Sequence, residues 1–197
     1  MADLVTIFIG RSGCGKGTQA DLLLKHFARR EPATPNLYLV TGDRFRELVG
    51  GSGLTSRLVG EWLSRGERLP DFLAVWNWAD WFQTKYQAGA RVVIDGAPRS
   101  PREAELLLGA LDFYQLPPPT VIHLAVSHDW AKARLLGRGR ADDREEADVE
   151  RRLAWFETEV APALAFLKNR PEVRVLEVNG ERPVEVIHQE IVAQLTK

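Results

Sequence analysis

Five short stretches of the chain are apolar almost without interruption: "LVTIFI" (4–9), "LYLV" (37–40), "RVVID" (91–95), "TVIHLAV" (120–126) and "VRVLEV" (173–178). Rich in β-branched residues and not strictly alternating, they predict strands covered on both faces. Between them the apolar spacing becomes helical. Lys16 to Arg30 is one such segment, and "EVIHQEIVAQL" (185–195), just after Pro183, is another. In "DFLAVWNWADWFQTKYQAG" (71–89) the stripe Phe72, Val75, Trp76, Ala79 and Phe82 predicts the buried face, and Gly89 the stop. Trp78 and Trp81 share a second face at i, i+3, which predicts packing within a helical subdomain, with a self-association surface as the alternative. Strands alternating with helices predict an α/β fold: a five-stranded parallel sheet with helices on both faces.

The 197 residues fit a single domain, 1–197. The segment between the second and third strands reads as helices only and is long for one crossover, so a small helical insert is expected over about 41–88. "GRGRADDREE" (137–146) is a short arginine-rich loop between two helices. With 26 basic against 27 acidic residues, the balance argues against a general nucleic-acid or membrane-surface binder. Leu4 to Ile9 is too short for a signal peptide or a membrane span, and no run approaches the ~20 residues a span needs. The single cysteine, Cys14, excludes an intrachain disulfide and favours a reducing, cytoplasmic setting.

The first strand runs straight into "GRSGCGKGTQ" (10–19), where Gly10, Gly13, Gly15 and Gly17 surround Lys16. Glycine-rich backbone between a strand and a helix is the context of a phosphate loop: bare amides converge on phosphate oxygens and the helix start adds its positive end. Lys16 is expected at the terminal phosphates and Thr18 in a magnesium shell. Unlike the plain phosphate-loop pattern, Gly17 follows the lysine and the hydroxyl comes one residue later.

This variant, G-x-x-G-x-G-K-G-T-Q, resembles the adenylate kinase family of nucleoside monophosphate kinases. Further segments resemble the family in order along nearly the whole chain: "TGDRFREL" (41–48), "GERLPD" (66–71), "IDGAPRSPREAE" (94–105), "RLLGRGRADD" (134–143), "RRLAWFETEVAPAL" (151–164) and "NGERPVEV" (179–186). The resemblance implies a phosphate-loop NTPase fold, a helical insert that receives the monophosphate, and a lid reduced to the short loop 137–146. It implies a magnesium-dependent, reversible transfer of the ATP γ-phosphoryl group to AMP, giving two ADP; a monomer is expected, and no zinc.

Bringing two nucleotides together concentrates negative charge; two unit charges 4 Å apart interact by ~4 kcal/mol even at an effective dielectric of ~20. The resemblance assigns the compensating groups. Gly13, Cys14, Gly15, Lys16, Gly17 and Thr18 hold ATP, with Arg134 on the donor base and Arg182 at the place of the family's donor-side lysine. Arg46 and Arg99 take the acceptor phosphate, and Arg138, Arg140 and Arg152 surround the transferred group, Arg140 and Arg152 also meeting AMP. Arg151 is an alternative to Arg152, because the spacing there is one residue longer than the family's. Thr41, Leu69 and Gly96 border the acceptor. Asp95 and Asp43 are expected to hold magnesium through water, and helix capping is the alternative for Asp43. Asp142 and Asp143 resemble a hinge pair of the lid.

Two departures fall in the acceptor pocket. Ala97 stands where the family has Phe, and Glu103 where it has the Gln that reads adenine. An ionised Glu only accepts hydrogen bonds, whereas Gln also donates. AMP is the expected acceptor; another monophosphate such as CMP or UMP, or a nucleotide switch without transfer, is the alternative. Glu103 is otherwise a helix-surface residue. Cys14 at a helix start reads either as a thiol of lowered pKa or as a small residue tolerated between glycines. His26, His123, His128 and His188 lack metal-ligand spacing, and one cysteine excludes the four-ligand zinc lid of some relatives.

Overall fold

The computed structural model of the protein describes residues 4–137 and 146–196. Five strands form one parallel sheet: β1 (Val5–Ile9), β2 (Asn36–Val40), β3 (Arg91–Asp95), β4 (Thr120–Ala125) and β5 (Arg174–Asn179), in the order β2-β3-β1-β4-β5. All five apolar runs are strands, and the expected α/β sheet is present. The helices are α1 (Lys16–Arg30), α2 (Thr41–Val49), α3 (Leu54–Ser64), α4 (Asp71–Lys85), α5 (Pro101–Phe113), α6 (His128–Gly137), α7 (Glu146–Trp155), α8 (Ala161–Lys168) and α9 (Val184–Leu195). A π-helical turn, Phe156–Val160, joins α7 to α8. Among the described residues no helix is long and apolar enough to cross a membrane.

Alternation along β1 explains the layers. Val5, Ile7 and Ile9 face one side, with Leu39 and Ile94, against Trp78, Trp81 and Phe82 of α4, Leu107 and Leu111 of α5, and Leu164 and Leu167 of α8. Phe8 faces the other side, with Ile122, Leu124 and Val178, against Ala20 and Leu23 of α1 and Ile187 and Ile191 of α9. Each fully buried aliphatic contributes about 1.5–3 kcal/mol. Two satellite clusters stand apart: Phe45, Val59 and Leu69 hold α2 and α3 together, and Ala131, Leu135, Val149 and Leu153 hold α6 to α7.

Helix α4 differs from its sequence reading. Phe72 is 68% exposed and Trp76 46% exposed, while Trp78, Trp81 and Phe82 are buried in the main core. The helix is apolar nearly all round, so its periodicity admits two phases. Asn77 decides between them: buried, it accepts from Arg44 Nε at 3.2 Å and donates to the Thr41 carbonyl at 3.4 Å. Trp78 and Trp81 therefore belong to the sheet core, neither to a subdomain core nor to a self-association surface. The helix also stops at Lys85 rather than Gly89, because Tyr86 turns extended (ψ 140°) and packs its ring beside Phe82 and Tyr114.

Strands run to β3 and β2 on one side of β1, and to β4 and β5 on the other. A crevice at the carboxyl end of β1 is where open parallel sheets receive ligands.

Candidate active site

The phosphate loop leaves β1 at Gly10 and enters α1 at Lys16. Gly13 and Gly15 adopt positive φ (83° and 97°), a region costly for other residues. A Cβ on Gly13 would lie 3.0 Å from the Ala131 carbonyl oxygen and from Leu135 Cγ, so glycine there lets α6 pack directly on the loop. Gly15 is the left-handed N-cap of α1, which has no side-chain cap and so presents its first amides to the cleft. Lys16 Nζ folds over the loop, donating to the carbonyls of Gly10 (2.9 Å) and Arg11 (3.0 Å). Gly17 has a local reason as well: a Cβ there would stand 3.7 Å from Asp95 Oδ2 and 3.9 Å from the Tyr38 hydroxyl. The missing side chain keeps the space before Asp95 open.

A cleft of about 890 Å³ lies against this loop. It brings together Gly13, Gly15, Lys16, Gly17 and Thr18 with Asp43, Arg46, Asp95, Gly96, Arg99, Arg134 and Arg152. Asp21 and Tyr38 also line it and were missed in the sequence; the one available signal was a phenol in the otherwise aliphatic run "LYLV". Asp95 closes β3 level with Phe8 of β1 and Val40 of β2. Burial raises its pKa, with the positive charges of Lys16 and Arg99 acting against that. Burial and the neighbouring Asp95 push the Tyr38 phenol up, and its hydroxyl donates to Asp95 Oδ2 at 3.5 Å. Gly96 has φ 91°, and a Cβ on it would meet Thr41 Oγ1 at 2.5 Å and Arg99 Nη2 at 3.1 Å. Thr41 donates to the Asp95 carbonyl at 3.5 Å.

Arg99 is fixed from two directions: Nε donates to the Gly96 carbonyl at 2.7 Å, and its backbone N–H donates to Glu103 Oε2 at 2.7 Å. Burial lowers the Arg99 pKa, opposed by the charges of Glu103 and Asp95. Glu103 is 1% exposed and so is not a helix-surface residue. Ser100 caps α5 by accepting from the Glu103 N–H at 3.1 Å, and the Glu103 carboxylate reaches back toward the chain before the cap, much as in a capping box. Its Oε1 is buried with no hydrogen-bond partner, and burial raises the carboxyl pKa against the pull of Arg99.

The remaining sequence candidates divide. Arg152 lines the cleft, whereas Arg151 pairs with Asp148 and lies beside Gly66. Arg134 lines the cleft with its guanidinium 4.7 Å over Trp130. Asp43 pairs with Arg46 and does not cap α2, whose N-cap is Val40 without a side-chain bond. Leu69 is buried with Phe45 and Val59, outside the cleft lining. Arg182 donates through Nε to the Asn179 carbonyl at 3.2 Å and pairs with Glu190, also outside it. The Cys14 side chain sits in the core; burial raises its pKa, so the lowered thiol suggested by its place in the loop is corrected. Arg138, Arg140, Asp142 and Asp143 lie outside the described residues. Gln19 was unassigned in the sequence; it is buried and ties α1 to α9 by donating to the Val184 carbonyl at 3.0 Å.

Thr18 and Asp95 supply hydroxyl and carboxylate oxygens, the hard donors magnesium prefers. Among the described residues no cluster of three or more His, Cys, Asp or Glu side chains is placed to hold a metal. That is compatible with a cation held chiefly through nucleotide phosphates.

Comparison with known proteins accords with this geometry. The chain is 31% identical over 189 residues to "Adenylate kinase 1" of Nostoc sp., covering 96% of this chain and 97% of that protein. It is 29% identical over 191 residues to "Adenylate kinase" of Corynebacterium urealyticum, covering 97% and 98%. With "Adenylate kinase" of Parasynechococcus marenigrum it shares 31% over 190 residues, covering 96% and 97%. The sequence model described as "Adenylate kinase" matches residues 8–172, and the chain belongs to the adenylate kinase family of nucleoside monophosphate kinases.

Proposed function

We propose that the protein catalyses reversible transfer of the γ-phosphoryl group of magnesium-bound ATP to AMP. The observation that carries this is the convergence of the phosphate loop with Arg46, Arg99, Arg134 and Arg152 on one cleft. The loop amides and Lys16 cradle the donor phosphates. Arg46 and Arg99 hold the acceptor phosphate, and Arg152 stands at the junction. Thr18 and Asp95, with Asp43 nearby, would hold the magnesium, which when bound neutralises charge on the donor phosphates. Guanidinium groups suit phosphate because their planar fork donates in pairs and stays protonated. Positioning and electrostatics supply most of the catalysis of such transfers. The insert 41–88 closes over the acceptor; the part assigned to the loop 137–146, closing over the donor to exclude the water that would hydrolyse ATP, falls mostly outside the described residues. Within the insert α4 is built into the sheet core, so closure falls on α2 and α3, which share their own small core.

A second reading, with CMP or UMP as acceptor, is favoured by one observation: a buried carboxylate, Glu103, accepts from the backbone of Arg99 behind the cleft lining, where the family has an adenine-reading Gln. A coupled assay with ATP and each of AMP, CMP, UMP and GMP, with and without a magnesium chelator, tests both. AMP is expected to give the highest kcat/KM, with activity lost on chelation. A preference for CMP or UMP supports the second reading. No turnover with any acceptor leaves only a nucleotide-binding switch.

A further inference from the structure

Arg11 stands inside the phosphate loop, where a long cation is not needed to build the cradle, and it does not line the cleft. Its side chain is 16% exposed and held three ways. Nε donates to the Val126 carbonyl, just past β4, at 3.1 Å. The guanidinium lies 4.3 Å over the Phe156 ring. Nη1 is 2.5 Å from Glu157 Oε1. His123 of β4 also stacks on Phe156, with centroids 6.0 Å apart and planes at 11°.

Phe156 and Glu157 open the π-helical turn directly after α7. Arg152 lies one helical turn before Phe156, and both line a small cavity of about 110 Å³ together with Ser12 and Lys16 of the loop. We propose that Arg11 is a positioning residue: it clamps the phosphate loop to the root of the helix that carries Arg152, fixing the register of loop amides and guanidinium across the transferred group. This rests on the kinase reading above. Two of the three contacts, the Nε donation and the stacked guanidinium, use a planar fork that lysine lacks. A misplacement of ~1 Å in such a constellation costs up to ~100-fold in rate. Ground-state binding of ATP does not use the register between the loop and Arg152, so loss of register appears in kcat more than in KM.

Steady-state kinetics and thermal melting of Arg11→Ala, Arg11→Lys, Glu157→Gln and the double variant Arg11→Ala/Glu157→Gln test this. Arg11→Ala is expected to lower kcat about tenfold with each KM within about threefold of wild type. Arg11→Lys, keeping the pair with Glu157 alone, falls between. Glu157→Gln alone is expected to lower kcat at least about threefold, and the double variant to match Arg11→Ala rather than the product of the two, because the partners act as one unit. A kcat within about twofold of wild type in Arg11→Ala, or a double variant equal to the product of the single effects, overturns the clamp. Glu157 is 60% exposed, so Glu157→Gln and Arg11→Lys carry the test if Arg11→Ala does not fold: kcat unchanged in both overturns it. An active wild type with unaffected variants sinks the clamp alone, whereas a wild type inactive toward every acceptor sinks the kinase reading and this proposal with it.

Discussion

Gly96 is tightly constrained by both backbone and neighbours. Its φ of 91° and the 2.5 Å approach of Thr41 Oγ1 to a Cβ leave no room for alanine. The left-handed backbone alone costs about 1–2 kcal/mol for a non-glycine residue, and the contact adds to it. Gly96→Ala is therefore expected to lose about 2 kcal/mol, seen as a fall in Tm of about 4–8 °C. Glu103 gives a second prediction. Burial raises its pKa, so the folded state holds a proton that the unfolded state releases. Stability is then lost as pH rises from the unfolded value toward the folded one, and the loss persists above it. Gln at 103 does not titrate. Glu103→Gln should melt above wild type at about pH 7.5, with the gap narrowing toward about pH 4; a gap independent of pH would contradict the raised pKa. Asp95 shifts in the same direction in both proteins and cancels in the comparison.

Among elements, α7 shows where sequence reading stops. Adjacent arginines on a helix point about 100° apart, and only packing tells which one meets the ligand. Val149 and Leu153 bury against Ala131 and Leu135, which turns Arg152 into the cleft and leaves Arg151 with Asp148. Arg152→Ala is expected to lower kcat by about 100-fold, and Arg151→Ala to leave it within about threefold. Equal losses would mean that the helix phase differs in the working complex. The strands were legible because runs such as "RVVID" are apolar on both faces, and the loop because its glycines follow a strand and precede a helix. α4 was not, since its aromatic residues surround the helix and the buried Asn77 sets its phase. Arg11 and Tyr38 escaped notice because their partners, Glu157 and Asp95, are distant in sequence and meet them only through the sheet topology.

Across the whole molecule, two satellite cores flank a sheet whose carboxyl edge carries the phosphate loop. α2 and α3 share one, and α6 and α7 the other. Each contributes arginine to the same cleft, Arg46 from the first and Arg134 and Arg152 from the second. This arrangement fits two anionic ligands meeting end to end better than one nucleotide, which the loop and Lys16 would satisfy alone. The central claim is that both nucleotides are held at once over Lys16 and Arg99. Calorimetric titration with an analogue of two adenosines bridged by five phosphates tests it directly. The account predicts one analogue bound per chain, competition with both ATP and AMP, and affinity at least about tenfold weaker in Lys16→Met and in Arg99→Met. An analogue that fails to bind, or that binds both variants as tightly as the native protein, would contradict it.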